Sequence, residues 1–206
     1  MQARDPLLST AVAKIMRALS AELLGGRGGK TLQHVALAAA LGARIFRVFG
    51  GWLAEKEATD KTYGQISGAL TEVGRVAAAH GITVAMENHG GVTRTGAQCA
   101  RILAGVKVAN VRLNDDPANF AFHHEDPYQA LTAVKDRVVF THFKNCREES
   151  GVMKYCRLKD GSIHYGPIFR ELRTTYHGAW CLEYEEAHDV EAGTRDDLSF
   201  LKEYSR

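Results

Sequence analysis

The sequence predicts an α/β fold in which helices cover a parallel sheet, as in most of a (β/α) barrel. From about residue 30 onward, short β-rich segments alternate with longer helix-like segments. This alternation implies right-handed strand–helix–strand crossovers and therefore a parallel sheet. The β-rich segments begin with residues that are apolar on both faces, which is typical of strands buried on both sides. A length of 206 residues is that of one domain, so we predict a single barrel domain over residues 1–206.

The predicted strands are residues 44–49, 82–88, 111–115, 138–143 and 179–184. The predicted helices between and before them are residues 30–41, 62–80, 96–105, 128–135 and 167–176. Gly42 and Gly81 follow two of these helices, where glycine can adopt the left-handed conformation that ends a helix. Residues 152–158 are a weaker strand candidate between the last two clear strands.

The first 29 residues fit this alternation less well. Residues 8–24 have the pattern of one amphipathic helix, and a glycine-rich loop, GGRGG, follows at 25–29. The sequence has no good strand before Arg44. We therefore predict an atypical N-terminal helix and loop over 1–29.

Composition argues against several classes of protein. A formal net charge of +2 is far from the strongly basic balance of a nucleic-acid binder, so we expect no nucleic-acid partner. The apolar runs are too short to span a membrane, and the first residues lack a signal-peptide layout. The four cysteines form no CxxC pair. A reduced, cytoplasmic protein without a membrane partner is the expectation.

Ionisable residues gather where four successive predicted strands end. Glu87, Asp116, His142 and Glu183 each lie at the C-terminal end of a strand, on the face that carries the other polar side chains. Burying unpaired carboxylates is costly, and the carboxyl ends of barrel strands converge on one site. We therefore predict a divalent-metal site. Three carboxylates and one imidazole favour Mn²⁺, Mg²⁺ or Co²⁺, and Zn²⁺ is also compatible.

Five stretches in this order resemble the sugar phosphate isomerase/epimerase family with the xylose isomerase-like TIM barrel: LGARIFRVFGG, GITVAMENHGG, NDDPANF, THFKN and GAWCLEYEE. The same superfamily contains endonuclease IV-type AP endonucleases, hydroxypyruvate isomerases, inosose dehydratases and ketose 3-epimerases. The resemblance covers about residues 32–190. It implies a TIM barrel and carbohydrate metabolism.

In that family, the metal is held by a Glu of strand four, an Asp of strand five, a His of strand six and a Glu of strand eight. The matching residues here are Glu87, Asp116, His142 and Glu183. This numbering makes the first clear strand the family's third, so the resemblance implies a barrel that lacks its first two strands. Exposed sheet edges would then favour association into a homo-oligomer.

The family's isomerases and epimerases move a proton beside a carbonyl through an enediolate. The resemblance therefore implies a metal-dependent isomerase or epimerase that acts on a small carbohydrate or polyol, with Glu87 and Glu183 as the catalytic acid and base. The metal would stabilise the developing negative charge. Two alternatives stay open: an AP endonuclease-like DNA-repair hydrolase, against which the near-neutral charge argues, and an inactive truncated barrel.

Four further residues are candidates for binding the substrate. His89 is either a ligand for a substrate oxygen or a histidine packed at the barrel mouth. Lys144 could neutralise an anionic substrate or intermediate. Arg47 could contact a carboxylate or phosphate, although a structural salt bridge across the lumen is the favoured role. Asn119 stands where several relatives place a His three residues after the strand-five Asp.

Overall fold

The computed structural model describes residues 28–53 and 58–204. The helix predicted over 8–24 lies outside these residues, as do the first three residues of the predicted glycine-rich loop. The described helices are α1 (Gly28–Ala40), α2 (Asp60–Ala79), α3 (Gly96–Gly105), α4 (Pro117–Ala121), α5 (Pro127–Val134), α6 (Tyr165–Leu172) and α7 (Val190–Tyr204). The strands are β1 (Ile45–Phe49), β2 (Thr83–Glu87), β3 (Val111–Asp115), β4 (Val138–Phe143), β5 (Asn145–Glu149), β6 (Val152–Cys156) and β7 (Trp180–Leu182).

Five strands form one parallel sheet in the order β1-β2-β3-β4-β7. Helices connect the successive strands, so the predicted α/β architecture with parallel strand–helix–strand units is confirmed. The described sheet corresponds to part of an eight-stranded barrel. All five predicted strands are present, and β1, β2 and β7 are one, two and three residues shorter than predicted.

The weak strand candidate at 152–158 does not join this sheet. Instead β6 pairs antiparallel with β5 in a separate hairpin, in register Glu149↔Val152 at its tip. Ser150 and Gly151 connect the two strands with φ of 54° and 80°, the positive angles that a two-residue hairpin turn requires. Consequently β4 pairs directly with β7, with no described strand between them. The family numbering had placed Glu183 two strands after His142, and here the two strands are neighbours.

Helix ends follow the local rules read from the sequence. Thr59 and Thr95 cap α2 and α3, each in a reciprocal capping box with the residue three positions later. Gly42 and Gly81 have φ of 76° and 67°, which confirms the predicted left-handed ends. The predicted start of the first helix at residue 30 was wrong. The helix α1 begins at Gly28, inside the segment 25–29 that was predicted as a loop.

The hydrophobic core lies between the sheet and the helices outside it. Met86, Leu113 and Phe143 of the strands are fully buried there, together with Ile102 and Phe169 of the helices. The aromatic members pack edge to face, as Phe143 and Phe169 do at 5.2 Å between ring centroids. None of the described helices combines the length and apolarity needed to cross a membrane. The apolar side chains thus occupy one face of the sheet, which leaves the other face for polar groups.

Candidate metal centre

The predicted metal ligands come together at the carboxyl ends of the strands. Glu87, Asp116, His142 and Glu183 each offer one ligand atom, and these four atoms lie within 4.8 Å of one another. Glu87 and Asp116 are fully buried, and His142 is 8% exposed. The Glu183 side chain is 28% exposed, so it forms the open side of the cluster. The expected geometry of the quartet is therefore present.

Strand register explains this convergence. Glu87 is the last residue of β2 and pairs with Asn114 of β3, two residues before Asp116. His142 pairs with Cys181 of β7, two residues before Glu183. Side chains two residues apart on a strand share a face, so both pairings direct all four groups into the concave side of the sheet.

Arg47 of β1 connects two of the carboxylates. Its Nη1 donates a hydrogen bond of 2.7 Å to Glu87 Oε2 and lies 3.7 Å from Glu183 Oε1. The guanidinium also lies 5.0 Å from the ring centroid of Phe49. This arrangement is the salt bridge across the lumen that the sequence favoured for Arg47.

His142 lies between two carboxylates. Its Nδ1 is 2.9 Å from Glu87 Oε1 and 3.4 Å from Glu183 Oε2. Burial lowers the pKa of this imidazole, but hydrogen bonds and charge attraction from the two glutamates outweigh burial and raise the pKa to about 9. Desolvation raises the pKa of Glu183, yet His142 and Lys144 hold it well below its usual range. Glu183 is therefore an ionised carboxylate at neutral pH.

Lys144 is a buried ammonium surrounded by carboxylates. It is 2% exposed, and its Nζ lies 2.7 Å from Glu183 Oε2, 3.0 Å from Asp116 Oδ2 and 3.1 Å from Glu185 Oε1. Burial lowers the pKa of Lys144, but Asp116 and Glu183 raise it above its usual range. The side chain remains charged and balances part of the negative charge of the pocket.

Asp116 divides its two carboxylate oxygens between the fold and the pocket. Oδ1 accepts hydrogen bonds from the backbone N–H groups of Ala118 and Asn119, and so caps α4. The backbone of Asp116 is held by Asn88, whose side chain donates to its carbonyl and accepts from its N–H, both at 2.8 Å. Oδ2 is buried and is ion-paired with Lys144 Nζ at 3.0 Å, and it accepts no further hydrogen bond from the described residues. Burial raises the pKa of Asp116 to about 7, although Lys144 acts against this.

These observations fit a bound divalent cation. Three carboxylates and an imidazole form an oxygen-rich donor set, as hard cations prefer. The buried Asp116 Oδ2 faces the cluster with Lys144 as its ion-pair partner among the described residues, and a carboxylate oxygen has a second lone pair that a cation can use.

The other two predicted substrate-binding residues differ in exposure, since Asn119 is buried and His89 is half-buried. Asn119 is 5% exposed, and its Nδ2 has no hydrogen-bond partner among the described residues. His89 is half-buried against Phe49 and Trp52, at 5.1 and 5.0 Å between ring centroids. His89 thus packs at the barrel mouth, two residues from the predicted metal ligand Glu87, in a place that is compatible with either predicted role.

Sequence reasoning missed two residues of the site. Asn88 positions Asp116 by hydrogen bonds to its backbone, and no pattern in the sequence indicates this contact. Tyr155 of β6 has its ring centroid 5.3 Å from Lys144 Nζ. The only signal for Tyr155 was the alternation in the weak strand candidate, which does not show that the hairpin folds over the pocket.

Comparisons with known proteins agree with the observed fold. A family model described as a xylose isomerase-like TIM barrel matches residues 30–204. An inosose dehydratase of Lactiplantibacillus plantarum is 27% identical over 164 residues, which are 71% of this chain and 54% of that protein. The chain thus spans about half the length of this curated relative.

Solved structures share the fold at low sequence identity. One is a xylose isomerase-like TIM barrel protein of Mycobacterium smegmatis in complex with magnesium, with a TM-score of 0.70 and 19% identity over 86% of this chain and 66% of that one. Another is a D-tagatose 3-epimerase-like protein, with a TM-score of 0.70 and 16% identity over 84% and 66%. Since the family model covers most of the chain, this protein belongs to the xylose isomerase-like TIM barrel family.

Proposed function

We propose that the protein is a metal-dependent isomerase or epimerase that moves a proton beside the carbonyl of a small sugar or polyol derivative. The observation that carries this proposal is the placement of two carboxylates, Glu87 and Glu183, on either side of His142 within one potential metal-ligand cluster. A base and an acid on one pocket wall, beside a cation, suit proton abstraction and return through an enediolate.

The bound divalent metal would supply electrostatic stabilisation of the negative charge that develops on the substrate oxygens. Glu87, Asp116, His142 and Glu183 would hold it. The donor set favours Mn²⁺, Mg²⁺ or Co²⁺ and also accommodates Zn²⁺. Glu183 is the better candidate for the base, since it is ionised at neutral pH and more exposed than Glu87. Glu87 would return the proton.

The surrounding residues would bind and orient the substrate. Lys144 places a permanent positive charge beside Glu183, where it would stabilise an anionic intermediate. Arg47 fixes the position of Glu87 and presents a half-buried guanidinium to the pocket. The buried amide of Asn119 donates to no acceptor among the described residues and would bind a substrate oxygen, and His89 would contact the substrate from the side of Phe49 and Trp52.

The test is incorporation of deuterium from D₂O into a panel of ketoses by protein loaded with Mn²⁺. We expect exchange at one carbon beside the carbonyl, and its loss in Glu183→Gln. Glu148→Gln is the matched control, because Glu148 is exposed on β5. Exchange with none of the sugars would contradict the proposal. Cleavage of an abasic DNA duplex would support the AP endonuclease-like alternative instead.

Dehydration is the second candidate function, and the match to an inosose dehydratase favours it. Loss of water also begins with removal of a proton beside a carbonyl, so the same base would serve. Glu183 would pass this proton to the hydroxyl group that leaves the next carbon as water, and Lys144, which stays charged, would donate a hydrogen bond to the leaving oxygen. Mass spectrometry separates the outcomes, because isomerisation keeps the substrate mass and dehydration lowers it by one water. A cytoplasmic location and a homo-oligomer remain predictions from the sequence.

A further inference from the structure

The hairpin β5–β6 stands beside the pocket. It follows the His142 strand with a single residue, Lys144, between β4 and β5. Tyr155 pairs with Cys146 across the hairpin, so its side chain lies on the same face as that buried cysteine. The ring centroid of Tyr155 is 5.3 Å from Lys144 Nζ. The aromatic side chain therefore borders the buried ammonium on the side of the hairpin.

A second contact joins Tyr155 to the Asp116 side of the pocket. Its ring packs on Phe122 with 4.6 Å between centroids. Phe122 is the C-terminal cap of α4, and Asp116 is the N-terminal cap of the same short helix. Tyr155 thus spans the gap between the ends of β3 and β4, the two strands that lead to Asp116 and His142.

The base of the hairpin is tied to the rest of the fold. The Asn145 side chain donates to the carbonyl oxygens of Leu158 and Ile163 at 2.7 and 3.1 Å, and accepts from the N–H of Ile163 at 3.1 Å. The N–H of Leu158 donates to Asp197 Oδ1 of α7 at 2.9 Å. Buried hydrogen bonds of this kind hold Tyr155 in one place relative to the metal ligands.

The chemistry of Tyr155 suits a polyhydroxylated ligand. The side chain is half-buried, and its hydroxyl makes no hydrogen bond within the described part of the chain. Burial raises the pKa of this phenol to about 12, so the hydroxyl stays protonated and can both donate and accept. A ring that packs on carbon atoms, with a polar group at its end, is well matched to a sugar or polyol.

We propose that Tyr155 contacts the substrate and determines its specificity, with the ring against the carbon skeleton and the hydroxyl hydrogen-bonded to one substrate hydroxyl. This inference rests on the proposed function for the substrate class, a small polyhydroxylated carbonyl compound. A site built to bond a particular hydroxyl discriminates against analogues that lack it, because a polar group of the protein then loses its partner.

The experiment measures binding by titration calorimetry on the Mn²⁺-loaded protein, with ketoses, myo-inositol and monodeoxy analogues of the tightest ligand. Tyr155→Phe keeps the ring and removes only the hydroxyl. We expect it to weaken the tightest ligand about five- to tenfold, the loss of one net hydrogen bond. For the one analogue that lacks the partner hydroxyl, wild type and Tyr155→Phe should bind equally.

Tyr128→Phe is the matched control, since Tyr128 is a half-buried tyrosine of α5, and it should leave all affinities unchanged. Equal binding of every ligand by wild type and Tyr155→Phe, with unaltered Mn²⁺ affinity, would overturn the inference. An equal loss of affinity on Tyr155→Phe for all the deoxy analogues would also overturn the inference.

This result is separable from the test of the proposed reaction. Ligand binding that depends on Tyr155, without deuterium exchange or water loss in the wild type, supports the contact and rejects the proposed function. Exchange in the wild type that is unaffected by Tyr155→Phe in both KM and kcat supports the function and rejects the contact. A wild type that binds none of the panel rejects both.

Discussion

The Nδ1 atom of His142 lies 2.9 Å from Oε1 of Glu87, although 55 residues separate them in the chain. Without a metal this contact favours the imidazolium, whose pKa of about 9 reflects the two glutamates beside it. A metal would need the neutral ring, so metal and proton would compete for this imidazole. Metal affinity is therefore predicted to fall as pH falls.

We expect the apparent Kd for Mn²⁺ to rise about tenfold for each pH unit lost between pH 9 and 7, with one proton released for each ion bound. Below pH 7 the dependence should become steeper, because the pKa of Asp116 is raised to about 7. Calorimetry in buffers of different ionisation enthalpy counts the released protons. A Kd that is constant from pH 7 to 9 would contradict this role of His142.

Lys144→Met should destabilise the metal-free protein. The substitution leaves Asp116, Glu183 and Glu185 without their shared cation, and an uncompensated buried charge typically costs about 3–5 kcal/mol. Urea unfolding in EDTA measures the loss. Added Mn²⁺ should stabilise this variant more than wild type, since the ion replaces the missing positive charge.

The control for that variant is Lys159→Met, at an exposed position, which should unfold as the wild type does. If Lys144→Met is as stable as wild type in EDTA, the ammonium does not balance the pocket.

Asp115→Asn should flatten the dependence of stability on pH in the metal-free protein. Asp115 is fully buried, both of its carboxyl oxygens lack hydrogen-bond partners among the described residues, and burial raises its pKa to about 8. A carboxyl group whose pKa is higher in the folded than in the unfolded state binds its proton more tightly when the protein is folded. The free energy of unfolding therefore falls as pH rises from about 4 to 8. The free energy of unfolding at pH 5 and 8 reports the change.

Asp136→Asn, at an exposed position, is the control and should keep the wild-type difference between the two pH values. An equal difference in wild type and Asp115→Asn would show that Asp115 does not titrate in this range.

Gly91→Ala should destabilise the loop that follows Glu87. At a φ of 56°, an added Cβ would lie 2.3 Å from the backbone oxygen of Gly51. Gly151 has a φ of 80° and nothing within 4 Å of such a Cβ, so Gly151→Ala isolates the cost of the backbone angle, about 1–2 kcal/mol. Gly91→Ala should cost about 1–3 kcal/mol more, from the steric overlap. Equal unfolding free energies of the two variants would mean that the close approach to Gly51 is absent.

The sequence was sufficient to predict the parallel strands and the proximity of Glu87, Asp116, His142 and Glu183, because both depend on short-range periodicity. Alternation along β2 and β7 directs Glu87 and Glu183 to one face wherever the strands lie. The hairpin was not predictable in the same way. Its strands, NCREE and VMKYC, alternate only weakly between polar and apolar residues. The position of the hairpin depends on hydrogen bonds from Asn145 to Leu158 and Ile163, which lie 13 and 18 residues further along the chain.

The partners of Lys144 were also beyond the sequence. The alternation of side chains along a strand places Lys144 on the same face as His142. Its contact with Asp116, however, depends on how β3 and β4 approach each other, and their register shifts after Leu113. Such cross-strand distances are set by tertiary packing.

The two oxygens of the Asp116 carboxylate have different roles, and these roles link the pocket to the hairpin. Oδ1 caps the N-terminus of α4, and Oδ2 faces the predicted cation pocket. Phe122, the C-terminal cap of the same helix, packs on Tyr155. An ion that moved this carboxylate would therefore also move the N-terminus of α4, and the C-terminal cap of α4 contacts the hairpin. Cation binding and the position of the hairpin would therefore be linked through this five-residue helix.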